Sequence, residues 1–170
     1  MITWAKIVTF KKQNYETYIY ITILVFLFVP ANNVLAQKET QRYNGQSYIY
    51  DFQNEKVYRS QVSVYGIANN FSEKFTAKSP CSITDMFKGL FTKKRLEELK
   101  SEKIVIKFIC NYTGNVVSVE FLFFKKPFLS VEEIALLEKT CCNYKFKIYS
   151  EDKDTKLYKF AMSCFFKNLL

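Results

Sequence analysis

The chain has no histidine, and its 170 residues include only 4 glycines and 3 prolines. Without imidazole there is no serine or cysteine triad with a histidine base, no histidine-ligated zinc and no haem on a proximal histidine. So few glycines do not build a Gly-rich loop that cradles phosphate. No internal repeat and no low-complexity tract is present. What remains is apolar and aromatic: 49% of residues are hydrophobic, 18% aromatic and 24% charged. This is one domain's worth of length with enough apolar material for a packed core, which excludes general disorder.

The amino terminus reads as a targeting segment. Lys6, Lys11 and Lys12 stand against one acid, Glu16. An apolar run follows over 18–29, about 12 residues where crossing a bilayer core takes roughly 20. Pro30 ends it, and Val34-Leu35-Ala36 supplies a small-residue cleavage pattern. Basic region, short apolar region and cleavage site predict a signal peptide over 1–36, cut between Ala36 and Gln37. An uncleaved anchor or a buried core helix is the alternative. The expectation is an exported protein, periplasmic or extracellular, that does not span the membrane once cut.

The formal net charge is +9. Export argues against a nucleic-acid partner, and the basic residues are scattered apart from Lys93-Lys94-Arg95 and Lys125-Lys126. Solvated lysines on an ordinary surface account for most of this charge. Weak attraction to anionic envelope polymers or to a partner accounts for the rest.

Residues 37–80 are rich in Asn, Gln, Ser and Tyr. Tyr48, Tyr50 and Phe52 alternate, as do Val62 and Val64. The expectation is an irregular lead-in with short strands. From Cys81 the pattern sharpens. Ser82 and Asp85 frame a helix start, and Ile83, Phe87, Leu90 and Phe91 share one helical face. Leu96 falls on the opposite side, so the helix breaks at Thr92, which caps a second one. Helices are expected over 83–91 and 93–100.

Ile104, Ile106, Phe108 and Cys110 then alternate, as do Val117, Val119, Phe121 and Phe123, on either side of a turn containing Gly114. That is a hairpin over 103–124. Ser130 and Glu133 form a capping box ahead of a helix over 131–142, whose Ile134, Leu137 and Cys141 make one stripe. A short extended piece follows at Phe146 and Ile148. The last strand, 156–166, places Tyr158, Phe160, Met162, Cys164 and Phe166 on one face. The fold class is α+β: a two-layer sandwich in which a three-stranded antiparallel sheet, the hairpin plus the last strand, packs on helix 131–142.

Geometry places the cysteines. If the last strand runs antiparallel to the first, Cys110 and Cys164 lie at opposite ends of the sheet, about 20 Å apart at roughly 3.3 Å per residue, too far to bridge. The end of the helix comes over the end of the first strand. Cys110 and Cys141 are therefore expected to be neighbours, either bridged or packed as small hydrophobes. Adjacent Cys141 and Cys142 lack the spacing of a thiolate metal site, and the end of a helix disfavours a thiolate. Glu97-Glu98 and Glu132-Glu133 diverge on their helices and make no carboxylate pair. No catalytic, metal or cofactor residue is expected, and no small-molecule substrate.

The stretch IVIKFICNYTGNVVSVEFLF, then LSVEEIALLEKTCCNYKFKI, then LYKFAMSCFF, resembles the carboxy-terminal domain of TonB-like proteins. The carriers are Gly114, Val116, Val119, Leu129, Glu133, Leu137, Lys145, Phe146 and Lys147. It also resembles small secreted TonB-like proteins of bacteroidetes, through Phe91, Arg95, Leu96, Glu98 and Leu99. The likeness implies a TonB C-terminal-like domain over 81–170. TonB keeps an amino-terminal anchor and a long Pro-rich spacer, whereas this segment reads as short and cleavable and the chain has only 3 prolines, so energy transduction is not implied. What the likeness implies is a last strand that is an open edge, able to take up an extended protein or peptide partner. Its side chains here are Tyr158, Phe160, Met162, Cys164 and Phe166. The flanking Lys156, Lys159 and Lys167 can equally guard that edge against aggregation. A structural or accessory envelope protein without a peptide site is the other expectation.

Overall fold

A computed structural model of the chain describes residues 38–60, 71–72, 74–151 and 157–170. The expected cleavage site at Ala36 and Gln37 lies outside the described residues, as do Val62, Val64 and Lys156. Three strands come first: β1 (Lys38–Tyr43), β2 (Gln46–Asp51) and β3 (Lys56–Arg59). After β4 (Phe75–Lys78) come the short helices α1 (Ile83–Phe87) and α2 (Lys93–Leu99). Strands β5 (Lys103–Cys110) and β6 (Val116–Phe123) precede helix α3 (Val131–Cys142). Strands β7 (Lys147–Ser150) and β8 (Tyr158–Phe165) and a 3-10 turn (Phe166–Leu169) complete the chain.

The sheet has six strands, not three, in the order β1-β2-β3-β6-β5-β8, and every pairing is antiparallel. Residues 38–59 are therefore not an irregular lead-in. They extend the predicted hairpin by three strands on its β6 side. Asn44 (φ +47°) and Gly45 (φ +76°) close the β1–β2 hairpin in the left-handed region, the signature of a two-residue primed turn. Strands β4 and β7 pair with each other as a separate two-stranded sheet.

One face of the large sheet carries Tyr48, Tyr50, Val57, Phe121, Ile106 and Cys164, and α3 lies on it with Ile134, Leu137 and Cys141 fully buried. The expected capping box is present: Glu133 N–H donates to Ser130 Oγ (3.3 Å) and Ser130 N–H to Glu133 Oε2 (2.9 Å). Helix α3 begins and ends where the pattern puts it because cap, stripe and length agree.

Helix α1 stops at Phe87 rather than 91. Gly89 turns the chain at φ +78°, and the Leu90 N–H donates back to Phe87. Ser82 does cap it, accepting from Asp85 N–H, but the Asp85 carboxylate takes a hydrogen bond from the Ser82 hydroxyl instead of reaching the backbone. Thr92 caps α2 as expected. Val117, expected in the core, is exposed. A register shift at Cys110, which pairs with Val116 while Ile109 pairs with Ser118, leaves Val117 without a partner position and turns it outward.

Gly114 sits at φ +82°, and a Cβ there would run into the Phe146 carbonyl. Its own carbonyl accepts the Phe146 N–H at 2.9 Å. Only glycine fits a left-handed turn against which another segment's backbone is pressed. This contact fixes where the chain leaves α3, and so where Phe146 enters the core.

Candidate functional site

The edge of the sheet at β8 is the first candidate. Its antiparallel register with β5 puts Cys110 opposite Tyr158 and Ile104 opposite Cys164. The two cysteines do lie at opposite ends, as the strand directions require. Of the five side chains expected to bind, Tyr158, Cys164 and Phe166 are buried in the core, and Phe166 belongs to the 3-10 turn rather than the strand. Phe160 and Met162 are half-buried. A partner would therefore meet Phe160, Met162 and the outward backbone groups of β8.

The surroundings of that edge were not legible in the sequence. At the start of β8 the Ser72 N–H donates to Leu157 O (3.0 Å), and Phe71 bridges Leu157 in parallel. Beyond the bridge the chain leaves β8. Phe75 packs its ring on Tyr158 (5.1 Å between centroids) and Phe160 (6.3 Å), and β4 takes β7 as its partner. The divergence opens a groove of about 420 Å³ between β4 and β8. Phe75, Thr76 and Ala77 form one wall, Phe160, Ala161 and Met162 the other, with Phe146 between them. Phe108, Phe146 and Phe160 lie with ring centroids within 4.8 to 5.5 Å of one another. The groove thus has an aromatic floor, and among the described residues β8 is the last strand of the sheet along one side.

The second candidate is a cleft of about 600 Å³ between the β1–β2 turn, Arg59 and α3. Beneath it Glu138 is only 4% exposed. Its Oε2 accepts from the Tyr48 hydroxyl at 2.7 Å. Arg59 Nε stands 3.1 Å from Oε1, a close charge contact in which the N–H is not aimed at the oxygen. Burial, reinforced by the hydrogen bond to Glu138, pushes the Tyr48 hydroxyl well above its ordinary range, so it stays a donor. Cys142 opens on the same cleft. Burial and then Glu138 raise its thiol, although Arg59 opposes them. A raised thiol without a base is a poor nucleophile. The arrangement ties the first hairpin to α3.

All five cysteines are free thiols, so Cys110 and Cys141 are not joined. Both are fully buried in the same core. Burial pushes the Cys110 and Cys164 thiols up to about 12. Burial raises Cys141 too, and Cys142, Glu138 and Cys164 add to the effect. Among the described residues there is no group of three side chains that could hold a metal ion.

Arg95 and Glu133, two carriers of the sequence resemblance, meet in space. Arg95 Nε and Nη2 grip the two Glu133 oxygens at 2.7 and 3.1 Å. Its Nη1 reaches Glu98 (3.0 Å), and Nη2 also donates to Phe128 O (3.2 Å). Glu133 therefore serves both as cap of α3 and as anchor for α2. This contact holds α2 against the start of α3.

No family model matches the sequence, and no curated protein matches it. Among solved structures the chain is similar to the crystal structure of a DUF5043 family protein from Bacteroides uniformis. The TM-score is 0.56 at 17% identity, over 75% of this chain and 84% of that one. At that identity the likeness is one of fold. The architecture is mixed, sheet-rich α and β with an antiparallel sheet and few helices. No described helix is long and apolar enough to cross a membrane.

Proposed function

We propose that this is an exported envelope protein whose domain is non-catalytic and binds an extended segment of a protein partner, which adds as a strand along β8. The observation that carries the reading is the divergence of β4 from β8 beyond the Ser72–Leu157 bridge. It leaves a strand edge beside a groove floored by aromatic rings. Backbone groups on such an edge give affinity, and pockets for alternate side chains give selectivity. The resemblance to TonB carboxy-terminal domains, whose last strand is an edge of this kind, belongs with the same reading. The basic, apolar and small-residue pattern over 1–36 supports export.

A second reading is a structural or accessory envelope protein without a peptide site. What favours it is that the start of β8 is already covered by Phe71 and Ser72, with Lys159 Nζ 5.7 Å from the centre of the Phe71 ring.

Panning a library of random decapeptides separates the two. The wild-type chain is expected to enrich peptides with apolar residues at alternate positions, and Ala77→Trp, which fills the groove from its β4 wall, is expected to lose them. Enrichment that Ala77→Trp leaves intact, with its thermal unfolding unchanged, refutes binding at this groove.

A further inference from the structure

We propose that the end of the sheet carrying Phe124, Lys103 and Phe165 docks on the surface of an anionic lipid bilayer. These residues lie on three adjacent strands or just beyond them. Lys103 pairs with Phe165, and Ile104 with Phe123, so Lys103 stands between Phe165 and Phe124 in one cross-strand row. The row is on the face opposite α3. Its lysine Nζ is 4.0 Å from the Phe124 ring centre and 5.9 Å from that of Phe165, and Lys167 Nζ is also 5.9 Å from Phe165. Phe124 is 54% exposed and Phe165 40%. Lys125 and Lys126, also exposed, follow Phe124 directly.

None of Lys103, Lys125, Lys126 and Lys167 makes an ion pair among the described residues. Lysines without an acid partner, such as Lys88 and Lys93, also occur elsewhere; what sets these four apart is that they surround the exposed Phe124 and Phe165. Four unpaired cations around exposed apolar side chains form an amphipathic patch that complements an anionic interface. Phenylalanine side chains carry no hydrogen-bonding group with which to hold a base or a sugar. Insertion among acyl chains uses both apolar rings while the lysines stay at the headgroups, which favours lipid over a soluble polyanion.

The test is co-sedimentation of the full chain with vesicles of phosphatidylglycerol and phosphatidylcholine, against pure phosphatidylcholine. Residues 18–29 are themselves apolar, so every comparison is between variants that share them. Binding is expected to favour the anionic vesicles and to weaken with added salt. Lys103→Gln with Lys167→Gln should weaken it by about fivefold per lysine, from about 1 kcal/mol each. Phe124→Ser with Phe165→Ser should weaken it at least tenfold while thermal unfolding stays that of a folded domain. Equal binding to both vesicles, or binding that neither double variant alters, overturns the proposal. So does tight binding of dextran sulfate, insensitive to the Phe→Ser pair, with no vesicle binding.

Discussion

The two edges of the large sheet are built in opposite ways. Strand β1 is KETQRY, with every side chain exposed or half-exposed, and it packs nothing apolar beyond Tyr43. Its charge and polarity discourage another strand from adding to it. Strand β8 is YKFAMSCF, and its edge lies beside an aromatic groove. An exposed edge with an apolar lining is a hazard unless it is covered or used. Among the described residues, Phe71 and Ser72 cover its start. The difference teaches that edge position alone does not mark a binding strand; what lies next to it does.

The two sides also depend on different contacts, so each can be weakened separately. The largest effect is expected on the β8 side from Gly114→Ala. The new Cβ meets the Phe146 carbonyl at a positive φ. The cost should be about 3 kcal/mol or more, seen in chemical denaturation, with loss of the groove floor. A smaller effect is expected on the β1 side from Tyr48→Phe, which takes a donor from the buried Glu138 carboxylate. A loss of about 1–3 kcal/mol is expected there, with the groove intact. If Tyr48→Phe also abolished peptide binding, the two sides would not be separable.

Acid should act on the β1 side first. Burial alone would raise the Asp51 carboxyl, but hydrogen bonds from Asn54 and the charges of Lys38 and Lys56 outweigh it, and the net pKa lies below its ordinary 3.8. A carboxyl lowered on folding stabilises fully above its unfolded pKa, and that stabilisation is lost as pH falls through the folded value. Unfolding followed below pH 4 should show the excess loss in wild type relative to Asp51→Asn. Equal acid sensitivity in the two contradicts this role.

The mildest probe is thiol labelling in the native state at neutral pH. Cys142 on the β1-side cleft, and more slowly Cys81, should react, while Cys110, Cys141 and Cys164 should not until the chain unfolds. Mass spectrometry of labelled peptides reads this directly.

Local signals explain what could be read in advance. The β5–β6 hairpin, helix α3 and strand β8 each carry a complete pattern within a few residues: alternation around Gly114, the Ser130–Glu133 box, and alternation again. Strand β1 has no apolar alternation, and β3 is four residues long, so residues 38–59 looked irregular. The signal that could have found the first hairpin was Asn44-Gly45, a dipeptide suited to a left-handed two-residue turn. Glu138 was not foreseen because its burial depends on Tyr48, 90 residues away. The groove depends on β4 pairing with β7 across a similar gap, and no short-range pattern encodes where two segments part.

The central claim is that β8, not β1, accepts an extended peptide. Hydrogen–deuterium exchange with a decapeptide selected by the wild-type chain tests it most directly. The account predicts slowed exchange in β8 and at Phe75–Lys78, with β1 unchanged. Slowed exchange confined to β1, or none in β8 at saturating peptide, would contradict it.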